Sequence, residues 1–386
     1  MTATATRASP ADEAECASLL ADASRERRTV RIAGGMTKSY IGELRETDLE
    51  LRTTRLAGIV DHVPADLTVT VAAGTRLADL AATLANAGQF LPLDPPHAED
   101  ATVGGVIAAS SNGFWCARYG GVRDLLIGTR TALADGTVVR SGGRVVKNVA
   151  GYDLNKLLAG SLGTLGVIVE ATLKVLPLPV AGAGLVASFG TGAVAFLAAN
   201  ALLRGASRPE ALVVDHAAGD VWRLLVTARG EEKVVARAIN DAEREIEQRG
   251  GRLESRAPDL ADPRELPARA TEGALVRVAV PLAAQTAFAY SAMRAETFAV
   301  IVADAATAVH RVHLQGEDDA VVSDVEALLA AARVVGGSGR IERRAHHLVA
   351  RLPAWPTRPG GEAIMRRIKD AFDPAGVLEP GRSAVG

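Results

Sequence analysis

Four glycine-rich segments carry the residues of this sequence whose types and spacing could do chemistry. The first is Arg31-Ile-Ala-Gly-Gly-Met-Thr-Lys38. Successive backbone N–H groups in such a turn can form a nest for an anion, and residues without Cβ let a pyrophosphate come close. An ordinary turn would read the same way. The second runs from Asp94 to Ala108, where Pro95 and Pro96 stiffen the entry and Thr102 can cap a short helix with Gly104 and Gly105 in its first turn. A close-packed structural helix is the alternative. The third, Asn112 to Asp124, mixes aromatic, guanidinium and glycine positions around Tyr119, Gly120 and Arg123, and ligand contact and plain packing are equally compatible with it. The fourth runs from Gly142 to Asp153 and on through Ile168, with Gly160, Gly163 and Gly166 ahead of an expected strand. That order reverses the dinucleotide fingerprint, in which glycines follow a strand and open a helix, so an NAD-type Rossmann domain is disfavoured.

No catalytic set stands out. A ligand carboxylate would need a cation, and a proton transfer a base. Arg311, Arg340, Arg343 and Arg344 could supply the cation, and Lys147, Tyr152 and Asp153 lie in the fourth segment; packing within the domain is the competing role for these three. His310 and His313 have odd spacing on an expected strand and so face opposite sides. His346-His347 lacks a third metal ligand nearby. Metal ligands are therefore expected to be absent and the catalytic residues stay unassigned.

The elements that must hold these segments follow from periodicity. Ser9-Pro10 before acidic residues predicts a helix reaching Ser24, and Thr29–Ile32 a strand feeding the first glycine pair. Leu67–Val71 alternates like a strand, and Leu77–Ala87 has helical spacing with Thr75 as a cap and Gly88 as a stop. Strands over 126–134 and 137–140 join at Asp135-Gly136, a short helix lies near 152–158, and a strand follows over 166–175. Beyond Pro177-Leu178-Pro179 the texture changes to strands and amphipathic helices in two successive βαββα runs, at 185–248 and 274–333, which predict an antiparallel sheet covered by helices.

At 386 residues the chain is long enough for roughly two or three compact units. Its 43 basic and 45 acidic residues argue against a nucleic-acid partner. Cys16 and Cys116 are the only cysteines, too few for a disulfide framework or a four-cysteine iron-sulfur site. Val175 to Leu203 is uncharged, but its prolines and glycines break it up, so no transmembrane segment is expected; with no secretory pattern at the N-terminus, a cytoplasmic location is the expectation.

Taken in order, the four segments resemble the FAD-binding domain of the vanillyl-alcohol oxidase and p-cresol methylhydroxylase (PCMH) superfamily. ATVGGVIA (101–108), RYGGVRD (118–124), the run 145–168 and the ending FDPAGVLEPGR (372–382) are similar to the FAD-binding subunits of glycolate oxidases within it. The resemblance implies an α+β fold: a two-part PCMH-type FAD-binding domain over 1–179, a cap of antiparallel sheet and helices over 180–340, and a segment 341–386 returning to the first domain. It implies FAD beside Ala33, Gly34, Gly35, Met36 and Thr37, and beside Pro96, Ala101, Thr102, Gly104 and Gly105. Tyr119, Gly120 and Arg123 join the cofactor candidates, and Gly163, Thr164, Gly166 and Ile168 would flank the adenosine and ribityl portions. Met36 stands where covalent members often place a flavin-linked histidine, so noncovalent FAD is expected. Leu162 and Glu379 depart from the Glu and Asn usual at their positions. The resemblance further implies a catalytic flavoprotein subunit and an iron-sulfur subunit as partners, a small 2-hydroxy acid as substrate, and attachment to the inner membrane face only through those partners. An independent FAD-dependent oxidase and a non-catalytic scaffold are the alternatives.

Overall fold

A computed structural model of the protein describes residues 5–43, 45–143, 153–217, 221–257, 260–356 and 360–385. It divides into two compact units. The first comprises Met1–Asn112, Gly120–Leu178 and Arg358–Gly386, and the second Gly113–Tyr119 and Pro179–Thr357. The short segment 113–119, expected in the FAD-binding part, thus belongs to the second unit. The chain returns to the first unit after residue 357, not at 341, because Ser338–Arg344 is a sheet strand and Leu348 and Leu352 are buried in the second core.

Two sheets build the first unit. Strands β1 (Thr6–Ala8), β2 (Val30–Ala33) and β3 (Leu49–Arg52) are parallel in the order β1-β3-β2. Strands β4 (Ile59–Val63) and β5 (Thr68–Ala72) enter a five-stranded antiparallel sheet with β7 (Leu126–Ala132), β8 (Val138–Gly142) and β9 (Val167–Lys174), ordered β4-β5-β9-β7-β8. A minor ladder joins β6 (Gln89–Phe90) to β10 (Leu176–Pro177). The β7–β8 hairpin turns at Gly136, whose φ of 84° suits a residue without Cβ. One core lies under the five-stranded sheet, with Leu80, Leu84, Val106, Ile107 and Leu173. A second joins the small sheet to the helix Glu13–Arg25 through Cys16, Leu20, Leu49 and Leu51.

Two expected caps move. Asp12, not Ser9, caps the first helix, its carboxylate accepting from the Glu15 amide at 2.8 Å while Glu15 accepts from the Ala11 amide at 2.7 Å. The reciprocal pair satisfies two amides at once, which a serine three residues earlier could not do. Thr75 does not cap Leu77–Asn86 either; its hydroxyl donates to the Ala72 carbonyl at 2.6 Å and so braces the turn after β5.

The second unit is one eight-stranded sheet. In chain order its strands are β11 (Ala181–Phe189), β12 (Ala211–Ala217), β13 (Trp222–Gly230), β14 (Arg252–Ser255), β15 (Ala274–Ala279), β16 (Phe298–Asp304), β17 (Val309–Leu314) and β18 (Ser338–Arg344). Their spatial order, β14-β11-β13-β12-β16-β17-β15-β18, is two βαββαβ repeats joined antiparallel through their second strands. The sequence gives each repeat as βαββα; the missing strands are β14 and β18, at the two edges. β14 is exposed along its whole length and β18 sets charged residues on both sides of Ile341, so neither carries clean alternation of apolar and polar residues. Helices Gly192–Arg204, Glu232–Gln248, Gln285–Ala292 and Asp318–Val334 bury one face of this sheet in the largest core. Among the described residues no helix is long and apolar enough to cross a membrane.

His310 and His313 do face opposite sides. His310 is fully buried on the helix side, its ring 5.1 Å from Phe288 and 5.9 Å from Phe196, and neither ring nitrogen has a hydrogen-bond partner. Burial pushes its pKa down to about 3. Below about pH 6.5 the unfolded chain takes up a proton that the folded chain refuses until near pH 3, so this residue destabilises the fold as pH falls, by at most about 1.4 kcal/mol per pH unit. His310→Leu is expected to unfold at a urea midpoint no lower than wild type at pH 7.5 and clearly higher at pH 5. An unchanged difference between the two pH values would mean that His310 is protonated in the fold.

Candidate functional site

The cleft of the first unit grows from the loop that follows β2. Met36 sits at φ 56° in the left-handed region, and the amides of Gly35, Met36 and Thr37 make no hydrogen bond to protein. Consecutive free amides with one left-handed residue are the nest that accepts phosphate oxygens. The loop is clamped onto a second one. A Cβ on Gly34 would lie 2.3 Å from the Thr102 hydroxyl, and one on Gly35 1.9 Å from the Asp100 carbonyl. Lys38, 6% exposed, donates to the Pro96 carbonyl at 2.6 Å and to the Thr37 hydroxyl at 3.0 Å.

These distances correct the reason expected for the glycines. Gly34 and Gly35 give their space to the protein's own second loop, and it is their exposed amides that remain for a ligand. Gly104 behaves likewise, since its Cβ would meet Ala73 at 2.8 Å. Thr102 caps the helix Val103–Ala109, its hydroxyl accepting from the Gly105 amide at 3.3 Å.

Around these loops lies a cleft of about 780 Å³, counting its part open to solvent. Ala33, Gly34, Gly35, Met36, Thr37, Thr102, Gly104, Gly105, Gly163, Gly166 and Ile168 of the expected set line it. The others do not. Pro96 contributes its carbonyl to Lys38 behind the loop, and Ala101 is fully buried, its carbonyl accepting from the Leu77 amide. Thr164 turns its hydroxyl to the Ser161 carbonyl at 2.7 Å. Tyr119 belongs to the second unit, where it donates to Glu210 at 2.9 Å and its pKa is pushed up to about 12 by burial and by that carboxylate. Gly120, at φ 84°, packs against Asp124, and Arg123 is an exposed residue whose carbonyl accepts from Lys156. Lys147 and Tyr152 lie outside the described residues; Asp153 is 4.0 Å from Lys156 at the surface.

The cleft is also lined by residues to which the sequence assigns no cofactor role: Arg31, Lys38, Thr53 and Arg382, together with Glu379, a departure from the residue usual at its position. The tail brings in the last two. Its helix Glu362–Phe372 carries in its last turn the buried Lys369, which donates to Asp373 at 2.6 Å and to the carbonyls of Thr164 and Leu378 at 2.9 Å each. That junction fastens the tail to the 160–166 loop and sets Glu379 at the cleft floor. There Glu379 accepts from the Ile32 amide at 2.8 Å and lies 3.9 Å from Arg382. Burial pushes its pKa up, against the pull of Arg382. Glu379 at φ 44° and Leu162 at φ 54° hold left-handed conformations, a cost that fixed contacts must offset. The signal for Lys38 was available, since it directly follows the glycine turn. Nothing local could have placed a residue from position 379 beside position 32.

Non-Rossmann loops, a nest of free amides and flanking cations fit a nucleotide pyrophosphate, and the fold is that of the PCMH type. The family model described as an FAD-binding domain matches residues 5–142, and FAD is the cofactor. The chain is homologous to glycolate oxidase subunits. It is 44% identical over 150 residues to the glycolate oxidase subunit GlcE of Escherichia coli, covering 38% of this chain and 42% of the relative. It is 42% identical over 114 residues to the Bacillus subtilis subunit GlcD, covering 30% and 24%. A D-lactate dehydrogenase of Archaeoglobus fulgidus is 35% identical over 170 residues, covering 44% and 38%. The chain thus spans less than half the length of these curated relatives. In fold it is similar to p-cresol methylhydroxylase, with a TM-score of 0.74 at 15% identity over 98% of this chain and 88% of that one, and to alkyldihydroxyacetonephosphate synthase, at 0.74 and 17% over 97% and 76%.

The clamp gives a direct test. Lys38→Met removes the donor that ties the first loop to Pro96, and FAD affinity measured by flavin fluorescence should fall by roughly tenfold or more, on the scale of a charge-assisted hydrogen bond. Glu379→Leu should weaken FAD binding while Glu379→Gln, which keeps an acceptor for the Ile32 amide, weakens it less. Equal affinity in all three proteins would remove both side chains from the site.

Proposed function

We propose that the chain is the FAD-binding subunit of a glycolate oxidase-like complex that oxidises small 2-hydroxy acids. The cleft with its nest of free amides carries this reading, supported by the 44% identity to GlcE over 150 residues. Ala33 to Thr37, Thr102, Gly104, Gly105, Gly163, Gly166 and Ile168 are the proposed cofactor contacts. Pro96 and Ala101 act from behind the loops.

Bound FAD would supply the acceptor for the hydride on the α-carbon of the substrate. The chain's own part is to seat the pyrophosphate on the amides of residues 35–37, to balance its charge with Arg31, Lys38 and Arg382, and to hold the two loops in register through Lys38. With Met36 exposed at the loop and no histidine there, the flavin is held noncovalently. The partners are a catalytic flavoprotein subunit and an iron-sulfur subunit, since two cysteines cannot hold a cluster.

The purified chain is expected to be yellow, and acid precipitation should leave all its flavin in the supernatant. With glycolate or D-lactate and a dye acceptor it should turn over only when the partner subunits are present. Turnover by the chain alone would replace the subunit reading with a stand-alone dehydrogenase, and a colourless chain that takes up no FAD would leave a scaffold.

A further inference from the structure

The face of the second unit's sheet opposite its helices carries a transverse row of charge. On β15 the residues Ala274, Val276 and Val278 belong to the helix-side core, so Arg277 between them faces the other way. Register places Arg277 directly opposite Arg311 on β17 and opposite Arg340 on β18. Ile341 on β18 is also helix-side, which puts Arg340 and Glu342 on the same face as Arg277. Three guanidinium side chains therefore start from three adjacent strands about 4.8 Å apart. Like charges directly opposite in a sheet are destabilising, and a half-buried cation without a partner costs more.

One carboxylate answers these three cations. Arg311 donates through Nε to Glu342 at 2.7 Å, and the Glu342 side chain is 5% exposed. Burial would raise its pKa, but the guanidinium groups of Arg311, Arg340 and Arg277 hold it below the usual carboxylate range. Further along the row Arg223 is spent on Asp215, at 2.8 and 2.6 Å. Arg343 points to the carbonyls of Pro267 and Ala268. The Arg277 side chain makes no hydrogen bond or ion pair, and burial pushes its pKa down to about 10 even though Glu342 acts in the opposite sense. Arg340 lies 5.5 Å over the Trp355 ring, and its Nε is buried without a hydrogen-bond partner. Two positive charges in excess remain at the centre of the row.

We propose that Arg277 and Arg340 form a binding site for a compact oxyanion on the second unit, and that its ligand is a small carboxylate. Glu342 shows the mode: a carboxylate engaged by the row's own guanidinium groups. Identifying that ligand with a 2-hydroxy acid rests on the function proposed above; the oxyanion site does not. Of the four arginines singled out as carboxylate cations, only Arg340 keeps that role. Arg311 is neutralised by Glu342, Arg343 is held by backbone, and Arg344 lies two positions beyond Glu342 at the end of β18.

The test uses the full chain loaded with FAD. Calorimetric titration and thermal melting are run with glycolate, D-lactate and inorganic phosphate against chloride at constant ionic strength. Glycolate or D-lactate should bind saturably and raise the melting temperature. Arg277→Gln should weaken that binding by about tenfold or more, the scale of a charge-assisted hydrogen bond, and should itself melt higher than wild type without anion because it removes an unmatched charge. Arg277→Lys should bind with intermediate affinity. No saturable binding, binding unchanged in Arg277→Gln, or a lower anion-free melting temperature in that variant would overturn the site; tighter binding of phosphate than of either hydroxy acid would overturn the carboxylate. Carboxylate binding without dye reduction, even with partner subunits added, would sink the hydroxy-acid reading and leave the anion site standing.

Discussion

The first unit depends on two loops approaching so closely that the first of them cannot carry a side chain at the contact. Gly34 and Gly35 lie against Thr102 and Asp100 where a Cβ would be 2.3 and 1.9 Å from its neighbour, and the buried ammonium of Lys38 closes the junction on the Pro96 carbonyl. Packing of this kind leaves the amides of residues 35–37, which line the cleft, without a protein acceptor. The same constraint therefore builds the scaffold and exposes the anion nest. It also explains why one residue of the turn, Met36, is driven into the left-handed region although it is not glycine.

A second fastening sits at the other end of the chain. Lys369 is buried with Asp373 and two carbonyls, an arrangement in which the charge is paired and its remaining protons are satisfied. Through it the tail contributes Glu379 and Arg382 to a cleft whose other walls come from residues 31–39, Thr53, 102–109 and 162–168. The cleft is thus assembled from five places in the sequence, held by hydrogen bonds that do not involve a ligand. Such preorganisation lowers the ordering cost of binding.

The second unit solves a different problem. Duplicating a βαββαβ repeat and joining the copies through their second strands gives a wide sheet with one face buried under four helices and the other carrying a smaller apolar cluster around Phe114, Val213, Leu275 and Val302 beside its polar residues. On that second face the register lines up Arg223, Asp215, Val302, Arg311, Arg277 and Arg340 across six strands. No strand read by itself contains this row. Arg277 in particular looks like any polar residue alternating with valines.

The sequence by itself determined the local units: most strand and helix positions, the hairpin at Asp135-Gly136, the cap at Thr102, the opposite facing of His310 and His313, and the glycine loops that mark an FAD-binding domain. Each of these depends on residues within a few positions of one another, through periodicity, capping or turn geometry. What only the tertiary structure decided is long-range: that Gly34 and Gly35 make room for Thr102 and Asp100, that Glu379 meets Ile32, that Tyr119 leaves the glycine cleft for Glu210, that edge strands β14 and β18 complete the repeats, and that Arg277 stands between Arg311 and Arg340. Those facts follow from sheet register and loop closure over tens to hundreds of residues, where no local pattern distinguishes a side chain that meets a ligand from one that meets the protein itself.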